Sequence, residues 1–263
     1  MKKHLIFGCT FLLLFLVSCG KDEYKTFPCV PTQISNHVIA FYSFSNGSLN
    51  DLSGNNNHLI NTSAASSTTD RNGNQNCAYE FDNLPTSNEF LGTTNTGFLN
   101  NLSEFSISLW YQPLDTTRNG SDYEGLIQRG DGLNCPDRMG QWSLGLYDCR
   151  KAVFGRTSSV WDQTITSTNV CQDEINIRTD NWFHIVVTFK NIGNEMKIFR
   201  NGIWQNSSTG IGTCTSGMPT YQDIGDLFIG KNFTGKIDDV IILNKSVNQQ
   251  EVNSLFNMTS CCD

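Results

Sequence analysis

The feature that most constrains the fold is an alternation of apolar and polar residues with a period of two. It is clearest in residues 105–111, where four large apolar side chains alternate with Ser106, Ser108 and Trp110. Successive side chains of a β-strand point to opposite faces of the sheet, so this segment has one core face and one semi-polar face. Similar runs, separated by turns rich in Gly, Asn and Ser, predict an all-β fold.

The predicted strands follow this pattern along most of the chain. Asn201-Gly202 predicts a type I′ hairpin turn, because both central residues of that turn need positive φ. The predicted strands cover residues 38–44, 77–81, 89–92, 105–111, 124–129, 141–147, 151–156, 183–190, 195–200, 203–207, 227–230 and 235–243.

One helix is predicted near the C-terminus. Ser246 and Gln249 match a capping box, and Val252, Leu255 and Phe256 form an apolar stripe. We expect this helix to lie against the outside of the β-structure.

The first 18 residues predict a signal peptide. Its apolar run is too short to span a membrane, and Leu16-Val17-Ser18-Cys19 resembles a bacterial lipobox. Acylation of Cys19 would anchor the chain, whereas the alternative is an ordinary secretory signal beside an incidental cysteine. Lys21-Asp22-Glu23 resembles the signal that directs Bacteroidetes lipoproteins to the outer face of the outer membrane. We predict a lipid-anchored tether over residues 19–37 and one domain over residues 38–263.

The net charge limits the class of partner. It is -7 at pH 7, and the basic residues are scattered rather than clustered. A nucleic-acid-binding surface needs a basic patch that attracts phosphate. The sequence therefore predicts no nucleic-acid partner, and contact with the membrane through the lipid anchor only.

The cysteines predict disulfides. The chain has ten; Cys9 lies in the signal peptide and Cys19 would carry the lipid, which leaves an even number in an exported domain. If residues 141–209 form one up-and-down meander, Cys149 and Cys214 lie at one end of its strands and Cys135 and Cys171 at the other. A strand of eight residues spans about 26 Å, whereas a disulfide joins Cα atoms about 6 Å apart.

These distances favour the pairing of Cys135 with Cys171 and of Cys149 with Cys214. By elimination, Cys29 and Cys77 would pair with Cys261 and Cys262 and join the ends of the domain, in an order that the sequence leaves open. The alternative is that some thiols are free and buried.

Several short motifs occur in the order in which one known family carries them. They are Ile39-Ala40-Phe41-Tyr42-Ser43-Phe44 with Asp51-Leu52-Ser53-Gly54-Asn55, Thr69-Asp70-Arg71 with Gly73, Phe105-Ser106-Ile107-Ser108-Leu109-Trp110, Trp182-Phe183-His184, Phe199-Arg200-Asn201-Gly202 and Gly235-Lys236-Ile237-Asp238-Asp239-Val240. In these motifs the chain resembles the laminin G-like, concanavalin A-like lectin domains of Bacteroidetes surface proteins. The resemblance implies a two-sheet antiparallel jelly-roll sandwich, a fold that carries lectins, adhesion modules and glycoside hydrolases alike.

The resemblance also implies a structural calcium ion (Ca2+). In related jelly rolls an aspartate of the last strand and the loop after the first strand hold the ion. Carried over, Asp238 would be a ligand together with Asp51 and carbonyl groups near Asn46 and Ser48, and such oxygens suit a hard cation. The alternative is that Asp51 caps its own turn while Asp238 accepts backbone hydrogen bonds. Asp239 is expected to point to the opposite side of the strand.

The candidate ligand-binding residues are aromatic. A lectin site needs an aromatic platform beside polar groups, and Trp161, Trp204 and Tyr221 lie in or beside loops rich in Ser, Thr, Asn and Gln. By contrast, Trp142 is predicted to lie in the core, and His184 is predicted to be a packed strand histidine.

No catalytic residues are predicted. The laminarinase-type members of the family carry a Glu-x-Asp-x-x-Glu strand, which is missing from this sequence, and strict alternation would separate Asp238 from Asp239. We predict an outer-membrane, surface-exposed lipoprotein whose non-catalytic domain binds glycans or glycoproteins. The alternative is a structural or adhesive surface protein that recognises another protein and has no sugar pocket.

Overall fold

The computed structural model describes residues 29–83, 88–114, 123–130, 141–147, 150–162, 181–212 and 223–260. Within these residues the predicted strands all form, together with two strands that the alternation missed, β2 and β9. The strands are β1 (Val38–Tyr42), β2 (Ser66–Thr68), β3 (Ala78–Phe81), β4 (Leu91–Thr93), β5 (Glu104–Pro113), β6 (Glu124–Arg129), β7 (Trp142–Tyr147), β8 (Lys151–Gly155), β9 (Ser159–Trp161), β10 (Phe183–Lys190), β11 (Glu195–Arg200), β12 (Ile203–Ser208), β13 (Leu227–Ile229) and β14 (Gly235–Leu243), and the helices are α1 (Thr32–Ser35) and α2 (Gln249–Phe256).

The strands form two antiparallel sheets. The large sheet has eight strands in the order β12-β11-β10-β5-β14-β3-β2, with β1 paired to the second half of β14. The small sheet has six strands in the order β4-β13-β6-β7-β8-β9. This arrangement confirms the predicted all-β jelly-roll sandwich.

The inner faces of the two sheets enclose the main core. The apolar residues that alternate along β5, including Phe105, all lie in this core, as their spacing predicts. Trp142 of β7 is 1% exposed and its ring centroid lies 5.8 Å from that of Phe105. The assignment of Trp142 to the core is therefore confirmed.

A second apolar cluster covers the outer face of the large sheet. In β14, Val240 and Ile242 lie in the main core, whereas Ile241 lies in this outer cluster with Val252 and Leu255 of α2. The cover on both faces explains why β14 is apolar on both faces. It also confirms the predicted position of α2 outside the sandwich.

The domain begins earlier than residue 38. Val30 and Ile34 are buried in the outer cluster, and Ile34 belongs to α1. The predicted extent of the tether is therefore wrong at its C-terminal end, because two apolar residues are too few to show a period in the sequence.

Helix α2 has a different N-cap from the predicted one. The side chain of Asn248 accepts a hydrogen bond from the N–H of Glu251 at 3.0 Å, and the Glu251 carboxylate accepts one from the N–H of Asn248 at 2.9 Å. The capping box predicted for Ser246 and Gln249 is wrong, because Asn248 and Glu251 form the reciprocal pair. None of the helices in the described ranges is both long and apolar enough to cross a membrane.

The predicted meander over residues 141–209 divides between the two sheets. β7, β8 and β9 form one meander in the small sheet, and β10, β11 and β12 form another in the large sheet. The single-sheet premise of the disulfide assignment is therefore wrong. Cys29 and Cys77 each take part in a disulfide. The predicted pairing of the cysteines stays a prediction, because the other six cysteines lie outside the described residues.

Candidate functional site

A β-bulge in β14 brings Asp238 and Asp239 to the same partner. Opposite β5, Asp238 pairs with Trp110 and Ile241 pairs with Ser108, so β14 has one residue more than β5 at this point. Asp239 has a φ of 46°, a value typical of a bulge rather than of regular strand. The prediction that the two carboxylates point to opposite sides is therefore wrong, since strict alternation does not continue through a bulge.

The partner of both carboxylates is Arg71. Its Nη1 lies 2.5 Å from Oδ2 of Asp238 and 2.7 Å from Oδ2 of Asp239. Its Nη2 donates a hydrogen bond to the carbonyl of Met258 at 3.0 Å, and its guanidinium carbon lies 4.6 Å from the ring centroid of Trp110. Sequence analysis did not give Arg71 this role, and the signal that could have done so is the need of two buried carboxylates for a cation.

Burial dominates the electrostatics of this acidic pair. It raises the pKa of Asp238 well above its usual range, with the negative charge of Asp239 acting in the same direction and Arg71 opposing it. Burial also raises the pKa of Asp239, to about 6, against the lowering effect of Arg71. The two side chains are 0% and 3% exposed, so they belong to the interior of the fold and not to a surface on which a ligand could bind.

His184 is a packed strand histidine, as the sequence predicts. Its ring centroid lies 5.1 Å from that of Trp110 and 5.7 Å from that of Phe256, and its Nε2 lies 2.9 Å from Oγ of Ser108. Burial lowers its pKa to about 3, and the positive charge of Arg71 acts in the same direction. The imidazole is therefore neutral at physiological pH.

The two carboxylates predicted to bind calcium have other partners. Asp51 Oδ1 accepts hydrogen bonds from the N–H groups of Phe41 and Ser53, each at 2.9 Å. Its Oδ2 accepts one from the N–H of Asn57 at 3.0 Å and one from the Ser53 hydroxyl at 2.8 Å. These donors direct positive charge at the oxygens that a cation would need, and the Asp238 carboxylate is paired with Arg71.

The remaining predicted ligands do not complete a cation site. Asn46 lies in the turn with a φ of 56°, and the Ser48 hydroxyl accepts a hydrogen bond from the N–H of Asn50 at 3.2 Å. In the part of the chain that the structure describes, no three His, Cys, Asp or Glu residues are grouped to hold a metal. With these partners Asp51 and Asp238 do not fit the role of calcium ligands, and the predicted calcium binding stays a prediction.

A surface cluster, which we call the Trp161 cluster, consists of Tyr147, Lys151 and Trp161. The ring centroids of Tyr147 and Trp161 are 6.1 Å apart with an interplanar angle of 51°, and Lys151 Nζ lies 5.8 Å from the Trp161 ring. The residues next to them, Leu146, Ala152 and Val160, belong to the main core, so alternation directs the cluster to the outer face of the small sheet. All three members are partly exposed.

Two contacts hold Trp161 in place at the edge of the sandwich. Asp162, the next residue, forms a buried ion pair with Arg200 of β11. The Asn206 side chain of β12 donates a hydrogen bond to the Trp161 carbonyl at 3.0 Å. Both partners belong to the large sheet, so these contacts fix the position of β9, an edge strand of the small sheet, relative to the large sheet.

The other predicted ligand-binding residues are not part of the Trp161 cluster. Trp204 is 51% exposed on β12, and its cross-strand partner Phe199 belongs to the outer cluster of the large sheet. Cross-strand partners share a face, so Trp204 faces the α2 side of the molecule. Tyr221 lies outside the described residues.

Sequence reasoning identified Trp161 but missed Tyr147 and Lys151. The signal for Tyr147 is present in β7, where Leu144 and Leu146 point into the core and Tyr147 must point outward. Lys151 is the direct cross-strand partner of Tyr147. Its position beside Tyr147 can be predicted only when the register of β7 and β8 is known.

Comparison with known proteins gives a family and a set of similar folds. A family model described as "Concanavalin A-like lectin/glucanases superfamily" matches residues 85–253. No curated protein matches the chain. The similar solved structures include the binding domain of botulinum neurotoxin DC in complex with rat synaptotagmin II, at 16% identity and a TM-score of 0.63, covering 85% of this chain and 52% of that chain.

A second similar structure is that of botulinum neurotoxin type C, from work on cell entry that depends on interaction with two ganglioside molecules. It has 18% identity and a TM-score of 0.64, and covers 86% of this chain and 52% of that chain. The present chain thus spans about half the length of these neurotoxin chains. At this level of identity the likeness concerns the fold alone.

Proposed function

We propose, since this chain belongs to the concanavalin A-like lectin/glucanases superfamily, that it is a surface lipoprotein whose domain binds carbohydrate or glycoprotein without catalysis. The observation that carries this proposal is the Trp161 cluster. Two neighbouring aromatic rings offer apolar faces to the C–H groups of a sugar, while the Tyr147 hydroxyl and the Lys151 ammonium can hydrogen-bond to its hydroxyl groups.

The carboxylate geometry favours binding rather than hydrolysis. Glycoside hydrolysis needs two carboxylates that flank the scissile bond, about 5 to 10 Å apart. Asp238 and Asp239, the adjacent acidic pair of β14, are buried and paired with Arg71. A sugar cannot reach them without unfolding of the surrounding segments, so they support a structural role.

The placement of Val30 and Ile34 supports display on a surface. Val30 and Ile34 lie in the outer cluster of the large sheet, whereas the Trp161 cluster lies on the outer face of the small sheet. A tether from an acylated Cys19 would therefore meet the domain on the side opposite the Trp161 cluster. We propose that the Trp161 cluster faces away from the outer membrane.

A protein partner is the second candidate, and exposed apolar residues favour it. Ile203 and Trp204, which point to opposite faces of the edge strand β12, are 66% and 51% exposed, and Trp204 is the one on the α2 side. The neurotoxin structures concern a domain bound to a protein, synaptotagmin II, and a toxin that interacts with gangliosides. Relatives of the fold thus include both classes of partner, and Trp204 is the residue that a protein partner would contact.

A glycan array of the protein without its first 18 residues tests the first candidate. We expect binding to a defined group of glycans, and we expect Trp161→Ala to abolish the signal while Trp204→Ala retains it. If no glycan binds and a pull-down from cell surfaces retains a protein that Trp204→Ala releases, the second candidate replaces the first.

A further inference from the structure

The ion pair between Asp162 and Arg200 lies in the interior of the sandwich, directly beside Trp161. Val160 of β9 and Ile198 of β11 belong to the main core. Asp162 and Arg200 each follow two positions later, so alternation directs both side chains to the same interior. They are 2% and 5% exposed, and their ion pair connects the edge of the small sheet with the large sheet.

The orientation of Asp162 is coupled to that of Trp161, because the two residues are neighbours in the chain. The Asp162 N–H donates a hydrogen bond to the Ala152 carbonyl at 2.9 Å, which continues the pairing of β9 with β8 by one residue. With the Asp162 side chain held in the interior, the Trp161 side chain points to the outer face, beside Tyr147 and Lys151. A rotation of this segment would therefore move both side chains together.

Strand β9 depends on such contacts because it is short and lies at an edge. It has three residues, and it is the last strand of the small sheet, paired with β8. Short edge segments open locally at low cost, since few hydrogen bonds and apolar contacts must break. The Asn206 side chain adds a neutral hydrogen bond to the Trp161 carbonyl at 3.0 Å. The Asp162–Arg200 pair adds an attraction between full charges in the interior, where salt screens it little.

Arg200 is itself held by the large sheet. Its backbone lies opposite Ile185 of β10, and its guanidinium carbon lies 5.4 Å from the ring centroid of Phe183, a residue of the main core. A guanidinium group is planar, so it can stack on an aromatic ring while its N–H groups meet a carboxylate. Arg200 therefore presents Asp162 with a donor group of fixed direction, which a lysine in its place would not reproduce.

We infer that Asp162 and Arg200 are positioning residues, which hold the Trp161 ring in the orientation that a glycan binds and do not touch the glycan themselves. The inference rests on the proposed function, because it assigns a role in binding at the Trp161 cluster. Both side chains are buried, so they act through the backbone of β9 and not as ligand contacts. An indole ring that is already ordered loses less conformational entropy when a sugar packs against it.

Fluorine NMR of protein labelled with 5-fluorotryptophan tests the positioning without a ligand. The chain has five tryptophans, and Trp161→Phe identifies the resonance of Trp161. Asp162→Asn should shift or broaden this resonance and leave that of Trp142, in the main core, unchanged. Lys197→Ala is the matched control, because it removes an exposed ion pair with Glu195 on β11, and it should change neither resonance. A Trp161 resonance that is the same in Asp162→Asn and in the unsubstituted protein would overturn the inference.

Thermal unfolding shows whether Asp162→Asn is folded, since it leaves the buried charge of Arg200 without its partner. If it is not folded, Arg200→Lys provides the test, because it keeps the charge and loses the planar group. The same change in the Trp161 resonance is expected, and an unchanged resonance in Arg200→Lys would overturn the inference.

Calorimetric titration with the glycan that gives the strongest signal on the array tests the consequence for binding. Asp162→Asn should weaken binding about five- to tenfold, the affinity lost when one side chain must be ordered on binding, and Lys197→Ala should leave it unchanged. If the unsubstituted protein and Asp162→Asn bind this glycan equally well, the inference is overturned and the proposed function stands. If no glycan binds to the unsubstituted protein, the proposed function fails, and the role in binding fails with it whatever the resonance of Trp161 shows.

Discussion

At the residue scale, single buried carboxylates connect segments that are distant in the sequence. Asp51 connects β1 with the loop that follows it through the N–H groups of Phe41 and Asn57. Asp238 and Asp239 connect β14 with Arg71. Because these carboxylates have lost their water, the donors around them make their burial tolerable. Substitutions of these carboxylates should therefore lower the free energy of unfolding more than substitutions in exposed loops do.

Asp51→Ala should lower the free energy of unfolding by about 3 kcal/mol, because hydrogen bonds to a charged group contribute about 1.5 to 3 kcal/mol and three N–H donors lose their acceptor. Urea unfolding measures the difference. Asn50→Ala, a change at the exposed neighbour, should stay within about 0.5 kcal/mol. A loss of less than about 1 kcal/mol for Asp51→Ala would contradict this account of the loop.

Calcium should not change the thermal midpoint through Asp51 or Asp238, since their carboxylates have N–H and guanidinium partners. The measurement compares unfolding with calcium and with a chelator, because a ligand that binds only the folded state raises the midpoint by mass action. A decrease with chelator that Asp51→Asn abolishes would restore the predicted calcium site.

The sequence pointed to Asp51 and Asp238 but did not indicate Arg71 as the partner of Asp238. Asp238 and Arg71 are 167 residues apart, and their contact depends on a bulge that no period in the sequence indicates. The hydrogen bonds of Asp51 are closer to the alternative, in which it caps its own turn, and the bond to the N–H of Ser53 is of that kind.

At the element scale, alternation was sufficient for most strands because one face of each strand is packed against the core. It missed β2, whose three residues are all polar, and β9, in which Val160 is the single core residue. The omission of β9 matters because this strand carries Trp161. Without β9, the sequence could not show that Trp161 lies beside Tyr147 rather than beside Trp204.

Helix α2 provides a prediction with a matched control. Asn248→Ala should lower the free energy of unfolding by about 1 kcal/mol, because it removes the acceptor for the Glu251 N–H. Ser246→Ala should change it by less than about 0.5 kcal/mol, since Ser246 is not the N-cap. Urea unfolding of both variants checks the assignment, and a larger loss for Ser246→Ala would restore the capping box predicted from the sequence.

At the scale of the whole molecule, the two outer faces of the sandwich differ in what covers them. The outer face of the large sheet is covered by α2 and by Val30 and Ile34. The outer face of the small sheet carries the partly exposed Trp161 cluster at its edge. The sequence predicted the fold class, but the aromatic group depends on strand register and on contacts between the sheets, which composition and alternation do not specify.

The central claim is that the Trp161 cluster binds carbohydrate, and calorimetric titration with the glycan that the array identifies tests it most directly. Trp161→Ala should weaken binding about tenfold or more, equivalent to about 1.4 kcal/mol, and Trp204→Ala should leave the affinity unchanged. Thermal unfolding should show that both variants remain folded. An unchanged affinity for Trp161→Ala, or a loss confined to Trp204→Ala, would contradict the account.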